Sequence, residues 1–335
     1  MDSSSTSTSL TSGVALITYN GVKYLPQQLS SILAQTRAVV HIVVSDDHST
    51  DGTWEYLKAW AKDTPVRVTL VRNDTQLGLS ANFEQAISLV EADIVFACDQ
   101  DDVWLPGKVA LLAAVFEDDD RVQLVHTDAI LVDAGGRDLG MTLFGELEVS
   151  ETERRAVRAN EAFRVYCRRN IVTGATAAFR RTLLLAARPL PNMFIHDAWL
   201  ALIAAAIGPI VMLDTPTIQY RQHGANLIGV KRLSRVEKLR QLWWAINRPR
   251  PLKATTDKLL ASSAILHARL FNQLSVKPAH VKMAYETLQF AKYRSNLSVN
   301  PVARCSAVAA VAVTGRYHRF SYEPWSDVLR DMLNK

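Results

Sequence analysis

The chain has 335 residues, of which 48% are hydrophobic and 21% are charged, a composition typical of a globular protein with a large buried core. No stretch reaches the roughly 20 uninterrupted apolar residues that span a bilayer, and residues 2–12 lack the apolar run of a secretion signal. We therefore expect a cytoplasmic protein, and the widely spaced Cys98, Cys167 and Cys305 fit a reducing compartment.

The net charge of +5 combines two parts of opposite sign. Residues 231–335 carry 19 lysines and arginines against 6 acidic residues, a net charge of +13, whereas residues 1–230 carry a net charge of −8. The acidic part argues against nucleic acid as the main substrate. The basic part is suited to anionic lipid or an acidic partner, although charge alone does not identify the ligand.

Strands and helices alternate along the first hundred residues. The apolar pattern predicts strands at 14–19, 39–45, 66–71 and 93–98, separated by helices at 21–35, 53–61 and 80–92. This alternation predicts a mostly parallel, Rossmann-like sheet with helices on both faces. Such sheets bind ligands at the carboxyl ends of their strands, so the loops there are the candidate site.

The later pattern is less regular. It predicts a helix at 105–116, a strand or strand pair at 122–133, helices at 180–187 and 197–207, and a strand at 209–213. Residues 145–170 are polar and irregular, which favours a flexible segment. Long amphipathic helices are predicted at 232–247, 254–273 and 278–293, with a short one near 324–334. We therefore expect a disordered tail at 1–12, an α/β domain at 13–230 and a basic helical region at 231–335.

Acidic residues follow the second and fourth predicted strands. The first group is Asp46 and Asp47, which either bind a ligand or belong, with Ser49 and Asp51, to a capped helix start. The second is Asp99-Gln100-Asp101-Asp102, followed by Trp104. Three carboxylates within four residues repel one another, and a divalent cation relieves that repulsion, although a solvated acidic turn is the alternative. Because Mg²⁺ and Mn²⁺ usually bind one or two carboxylates plus phosphates, the loop predicts a diphosphate ligand.

The motifs, taken in order, resemble a known family. The segments YN (19–20), SDDHSTDGT (45–53), RNDTQLG (72–78) and ACDQDDVWLPGK (97–108) resemble glycosyltransferase family 2, which has the GT-A fold. TGATAAFRR (173–181), HDAWLAL (196–202) and YRQHGANLIG (220–229) resemble its bacterial rhamnosyltransferase-like members. The resemblance covers about residues 14–230 and does not reach the C-terminal third.

The resemblance implies roles for individual residues. Asp47 matches the position that contacts the nucleotide base, and Thr18 and Asn20 lie where the first strand meets the nucleotide. Asp101 matches the direct ligand of Mn²⁺ or Mg²⁺, with Asp99 nearer the ribose. Further candidates for contact with the donor or the metal are Asp46, Asp102, Trp104, Arg221, Gln222 and His223. Asp102 is either an additional ligand contact or structural.

Asp197 matches the catalytic base of inverting members, and His196 is positioned to orient it. Asp197 also begins an apolar helix, so N-capping is an alternative role on sequence alone. His223 either completes the metal site or is structural.

These features favour an inverting, metal-dependent transfer of a sugar, from a dTDP-linked deoxysugar such as rhamnose or from a UDP-hexose. The resemblance implies an acceptor in bacterial surface-polysaccharide or O-antigen assembly, either a glycan or a lipid-linked glycan. A retaining mechanism and a nucleotidyltransferase on a related sheet stay open as alternatives. A dinucleotide-dependent oxidoreductase is disfavoured, because TYNGVKYL stands where a GxGxxG motif would follow the first strand.

The basic region contains Trp243 and Trp244 among several arginines. Helices packed on the catalytic domain would explain this composition, and so would peripheral contact with the cytoplasmic face of the inner membrane. A non-enzymatic module binding membrane or nucleic acid would also explain it, but would leave the carboxylate clusters unexplained.

Overall fold

A computed structural model of the chain describes residues 9–222, 252–272 and 276–333. The chain forms two compact units. The first contains Met1–Ala162 and Ile171–Val230, and the second contains Phe163–Asn170 and Lys231–Lys335. The short segment 163–170 thus lies in the second unit, although the sequence predicts it as part of the α/β domain. The predicted helix at 232–247 lies outside the described residues.

The first unit is built on one sheet, which has nine strands within the described residues. The strands are β1 (Ser12–Thr18), β2 (His41–Asp46), β3 (Arg67–Arg72), β4 (Ile94–Cys98), β5 (Val103–Trp104), β6 (Leu124–Val132), β7 (Asp138–Thr142), β8 (Ala177–Arg180) and β9 (Ile210–Arg221).

The strand order is β3-β2-β1-β4-β8-β6-β9-β5, with β7 paired to β6. The four strands from β3 to β4 are parallel to one another, as are β6 and β9, whereas β5, β7 and β8 run in the opposite direction. Every residue of β1, β2 and β4 is buried, as expected for strands covered on both faces. The mostly parallel sheet predicted from the sequence is confirmed.

Nine α-helices belong to the chain between residues 9 and 222. They are α1 (Leu25–Leu33), α2 (Thr53–Asp63), α3 (Leu79–Leu89), α4 (Lys108–Asp118), α5 (Leu143–Glu146), α6 (Glu151–Arg158), α7 (Ala162–Tyr166), α8 (Leu183–Ala187) and α9 (His196–Ile207). On α1, Leu25, Leu29 and Ile32 form a buried face that packs into the core with strand residues of the sheet.

Two segments differ from the sequence expectation. The stretch 145–170, expected to be irregular, contains the second half of α5 and all of α6 and α7. A capping box starts α6, in which Ser150 and Glu153 satisfy each other's backbone amides, so that a polar helix forms without a strong apolar pattern. Strand β9 continues eight residues beyond the predicted end at 213, and a register shift against β6 accommodates Pro216.

Beyond residue 251, the described part of the second unit consists of helices joined by short connections. Its helices are α10 (Leu252–Phe271), α11 (Pro278–Ser295), α12 (Pro301–Ala312), α13 (Arg316–Phe320) and α14 (Pro324–Leu333). Phe290, Val308, Tyr317 and Val328 form its core. The sequence did not predict α12 or α13, although the Asn300 cap and Pro301 in the first turn are start signals for α12.

A buried ion pair joins α11 to α14 in this unit. The Arg294 guanidinium donates to both oxygens of Asp331, at 2.7 and 2.9 Å, and the Tyr317 hydroxyl donates to the same carboxylate at 2.7 Å. Burial raises the pKa of Asp331, and Arg294 and Tyr317 oppose that rise by hydrogen bonding to the carboxylate. This network holds α14 against the small core.

Candidate active site

Strands β2, β1 and β4 lie side by side and parallel, so their carboxyl ends open on the same edge of the sheet. Thr18 ends β1, Asp46 ends β2, and Asp99 follows the last residue of β4. The site residues predicted after these strands therefore share one edge. The contacts of each residue show whether it holds the loops together or is able to bind a ligand.

Asp46 is a residue that holds the loop together. Its buried carboxylate accepts hydrogen bonds from the Thr18 hydroxyl at 2.9 Å and from both the amide and the hydroxyl of Ser49, at 3.1 and 2.5 Å. The Arg72 guanidinium lies 3.8 Å from it. Both oxygens are thus engaged by the protein, so the observed contacts of Asp46 hold the loop together, and its contact with a ligand stays a prediction.

Asp47 is also held by the chain. One oxygen accepts from the Asn73 side chain at 2.9 Å and from the Leu77 amide at 2.7 Å, and the other accepts from the Gly78 amide at 2.9 Å. The donors that a buried carboxylate requires therefore come from the turn before α3. A carboxylate accepts about four hydrogen bonds, so capacity for one more donor is left.

Asn20 and Gln100 join the loops of this edge. Asn20 has a left-handed backbone with φ of 48°, and its side-chain oxygen accepts from the Thr50 amide at 2.8 Å. The Gln100 side chain accepts from the Tyr19 amide at 2.8 Å and donates to the Tyr19 carbonyl at 3.0 Å. The sequence alone did not single out Gln100, because the carboxylates on either side of it gave the stronger indication of a ligand site.

Gly21 leaves the space that Gln100 occupies. A Cβ atom at position 21 would lie 2.0 Å from the Gln100 amide oxygen. We expect Gly21→Ala to expel this side chain, to break both bonds to Tyr19 and to lower the free energy of unfolding by about 1–3 kcal/mol in urea denaturation. Gly107→Ala is the control, since a Cβ there meets nothing within 4 Å and φ is −89°. Equal stability of the two variants would contradict this explanation.

We call residues 99–102 the acidic loop, since three of the four carry carboxylates. Burial raises the pKa of Asp99 to about 7, with further contributions from the negative charges of Asp101 and Asp197. The pKa of Asp102 is also raised, chiefly by burial and then by Asp101 and Asp99. One oxygen of Asp102 accepts from the Arg221 amide at 3.0 Å, and the other is buried without a hydrogen-bond partner among the described residues.

These properties fit a divalent cation bound at the acidic loop, because a cation would favour the charged forms and occupy the unpartnered oxygen. Within the described ranges, no group of three carboxylate, imidazole or thiol side chains converges enough to hold a cation alone. His223 lies outside the described residues.

Arg221, expected to touch phosphate, is instead a buried brace for the acidic loop. Its side chain donates to the carbonyl oxygens of Asp101 at 2.8 Å and Ala134 at 3.2 Å, and to the Gln27 side chain at 2.9 Å. The guanidinium also lies 5.0 Å from the centre of the Tyr24 ring. Its hydrogen-bonding capacity is directed into the protein because β9 is long enough to carry residue 221 beside the acidic loop.

Two other predicted residues show unsatisfied polar atoms. The Gln222 amide donates to the Val132 carbonyl at 2.8 Å, but its side-chain nitrogen is buried without a partner in the part of the chain that is described. Trp104 is 3% exposed, and its indole nitrogen likewise has no partner there. Trp104 packs against Phe96 in the core, so its contribution to the site is through the position of the acidic loop.

Asp197 is the second residue of α9 and does not cap it, since Ile195 occupies the N-cap position. Its carboxylate accepts from the Gly174 amide at 3.1 Å. Its charge raises the pKa of Asp99, so the two carboxylates lie within electrostatic range of each other. Burial raises the pKa of the Tyr220 hydroxyl, and it is raised further by the negative charges of Asp102, Asp99, Asp101 and Asp197. The fold therefore brings Asp197 within electrostatic range of the acidic loop, which lies about 100 residues earlier in the sequence.

His196 does not bind Asp197 directly. Its ring stacks on Phe83 with centres 4.0 Å apart, and neither ring nitrogen has a hydrogen-bond partner among the residues described. Burial lowers its pKa to about 3, so the ring is neutral. A Cβ at position 174 would lie 2.7 Å from its Nε2 atom. His196 therefore packs beneath the Gly174 turn, and its expected role in orienting Asp197 stays a prediction.

Comparisons with known proteins identify the family of this chain. The sequence profile described as Glycosyl transferase family 2 matches residues 14–185, slightly more than half of the chain, and ends before Asp197. An uncharacterized glycosyltransferase of Nostoc sp. is 25% identical over 216 residues, 64% of this chain and 65% of that protein. This chain thus matches just under two thirds of that relative's length.

Two further proteins complete the comparison. The dTDP-rhamnosyl transferase RfbG of Shigella flexneri is 24% identical over 241 residues, which cover 68% of this chain and 80% of that protein. The crystal structure of TarS 1–349 from S. aureus, in complex with UDP-GlcNAc, superposes with a TM-score of 0.58 at 18% identity. The superposition covers 96% of this chain and 90% of that chain, and it shows a shared fold.

Proposed function

This chain belongs to glycosyl transferase family 2 and has the GT-A fold, and on that premise we propose that it transfers one sugar from a nucleotide-sugar donor to an acceptor hydroxyl with inversion. One observation carries the proposal. The acidic loop at the end of β4, suited to a cation and a diphosphate, lies within electrostatic range of Asp197, a carboxylate held on a different element. One site would thus contain a group that stabilises the leaving group and a separate group that removes the proton.

The proposed donor is a nucleoside-diphosphate sugar bound at the carboxyl ends of β1, β2 and β4. Thr18, Asn20 and Asp47 would face its nucleoside, and Asp99 and Gln222 would contact the sugar nucleotide beyond it. Support for Gln222 comes from its buried, unpartnered side-chain nitrogen, which is free to donate to a ligand. A dTDP-linked deoxysugar is favoured, since the relative RfbG is named a dTDP-rhamnosyl transferase, and a UDP-hexose is the second choice.

The proposed cofactor is Mn²⁺ or Mg²⁺ held by Asp101, with Asp99 beside it and His223 as a further candidate ligand. Bound there, the cation would stabilise the negative charge of the departing nucleoside diphosphate. The buried, unpartnered oxygen of Asp102 supports a cation close to this loop.

Asp197 is the proposed general base. As the acceptor oxygen bonds to the anomeric carbon, the bond from that carbon to the nucleoside diphosphate breaks, and Asp197 takes the acceptor proton. The Gly174 amide donates to one oxygen of this carboxylate and so holds it in place at the start of α9. The proposed acceptor is a glycan or lipid-linked glycan of bacterial surface-polysaccharide or O-antigen assembly.

A ligand panel tests the proposal. We expect UDP or dTDP to raise the melting temperature of the purified protein only when Mn²⁺ or Mg²⁺ is present, because a ligand that binds only the folded state stabilises it by mass action. The nucleotide that gives the largest shift identifies the donor class. Absence of a shift with every nucleoside diphosphate would refute donor binding, and pyrophosphate release would indicate a nucleotidyltransferase instead.

Peripheral membrane contact through residues 231–335 is part of the proposal and rests on their net charge of +13. Trp243 and Trp244 lie outside the described residues. None of the helices that the structure describes is both long and apolar enough to cross a bilayer. Co-sedimentation with anionic vesicles tests the contact, and equal recovery with neutral vesicles would argue against it.

A further inference from the structure

Lys108 is a fully buried lysine at the first position of α4. This placement is unfavourable for two reasons. A buried ammonium loses its hydration, and the amino end of a helix carries partial positive charge that repels a cation. Burial lowers the pKa of Lys108 to about 7, while the charges of Cys98, Asp102 and Asp99 raise it. Such a residue persists where its contacts compensate for the cost of burial.

The Lys108 ammonium has two close contacts. It donates a hydrogen bond of 2.6 Å to the carbonyl oxygen of Ala175, and it lies 3.8 Å from the centre of the Trp104 ring. The first contact satisfies one N–H group with a buried acceptor, and the second is a cation–π interaction in a water-poor environment. Lys108 thus touches two segments that are about 70 residues apart in sequence.

These two segments carry the two halves of the proposed chemistry. Trp104 lies two residues beyond the end of the acidic loop, and Ala175 lies in the short turn Gly174–Thr176. The amide of Gly174, one residue before Ala175, donates to Asp197 at 3.1 Å. A continuous path therefore runs from the acidic loop through Trp104, Lys108 and the Ala175 carbonyl to the amide that holds Asp197.

We propose that Lys108 is a positioning residue that ties the acidic loop to the Gly174–Thr176 turn and so keeps the Asp197 carboxylate aligned with the bound donor. It touches neither substrate. The inference rests on the proposed transferase function, and it assigns to Lys108 a task beyond filling the core. A purely structural lysine would affect stability and leave the turnover of the folded enzyme unchanged.

Lys108→Met tests this assignment, because methionine has a similar length without the donor group or the charge. Lys62→Met, at an exposed position of α2, is the matched control. We expect Lys108→Met to bind the nucleoside diphosphate identified by the ligand panel within about twofold of wild type, and to lower kcat by about 10- to 100-fold, as a small misplacement of a reacting group does. In an Asp197→Asn background, Lys108→Met should lower kcat no further.

A second measurement does not depend on activity. Hydrogen exchange at residues 171–178 should become about tenfold faster in Lys108→Met and stay unchanged in Lys62→Met, because the Ala175 anchor that restrains the Gly174 amide is lost. A kcat within twofold of wild type, or unchanged exchange in this segment, would overturn the inference. Wild-type protein that transfers no sugar would refute the proposed function instead, and the exchange result would still decide whether Lys108 holds the turn.

Discussion

Replacing Asp197 by asparagine should lower kcat by about 10²- to 10⁴-fold and leave nucleotide affinity nearly unchanged. Asparagine keeps an oxygen that can accept from the Gly174 amide, so the geometry of the turn is retained while the proton acceptor is lost. The loss should appear in kcat and kcat/KM together, since the interaction is made with a proton that moves only in the transition state. Transfer rates measured with the donor from the ligand panel give both constants.

Asp120→Asn serves as the control for charge removal, since Asp120 is exposed at the end of α4. Thermal melting of both variants checks that they are folded. An Asp197→Asn enzyme that retains more than about one third of wild-type kcat would exclude Asp197 as the base, and attention would then turn to the carboxylates of the acidic loop.

Replacing Asp101 by asparagine should abolish the metal-dependent stabilisation by nucleoside diphosphate and lower kcat/KM by at least about 10²-fold. The cation would lose its principal protein ligand, and with it the bridge to the diphosphate. Calorimetric titration with Mn²⁺ in the presence of nucleotide measures the effect. Asp118→Asn, at an exposed position of α4, should behave as wild type. Unchanged Mn²⁺ affinity in Asp101→Asn would place the cation elsewhere.

The same variant has a readout in the absence of metal. The pKa of Asp99 in the folded chain is about 7, above the ordinary aspartate value of 3.8, so the folded state holds this proton more tightly than the unfolded state. That stabilisation is complete below about pH 4 and is lost as the pH rises through 7. In Asp101→Asn the pKa of Asp99 should fall, because a like charge is removed, so metal-free melting temperatures should decline less between pH 4 and 7.

The α/β part of the fold was predictable because its signals are local. The apolar strands β1, β2 and β4 are buried on both faces, and each is followed by polar loop residues. The charged helix α6 was missed because its apolar stripe is weak, although the Ser150 and Glu153 capping box was readable in the sequence. The continuation of β9 past Pro216 was not readable, because it depends on a register shift against β6.

The candidate site was predictable in part for a similar reason. Carboxylates at strand ends mark the acidic loop, whereas the direction of a side chain depends on tertiary contacts. Arg221 turns inward because carbonyl groups of the acidic loop and the Gln27 side chain accept its hydrogen bonds. His196 packs on Phe83, and Lys108 is buried beneath Trp104. A residue's type does not reveal such partners, so these three roles required the structure.

The paired hydrogen bonds between Gln100 and Tyr19 have a thermodynamic consequence. They join the loop after β1 to the acidic loop before any ligand arrives, so the conformational entropy of these segments is already lost when the chain folds. A ligand that binds at this edge meets surfaces that need little further ordering, which favours tight binding by a small molecule with few contacts. Discrimination among donors would then depend on the shape of a rigid edge rather than on the energy of closing a loop.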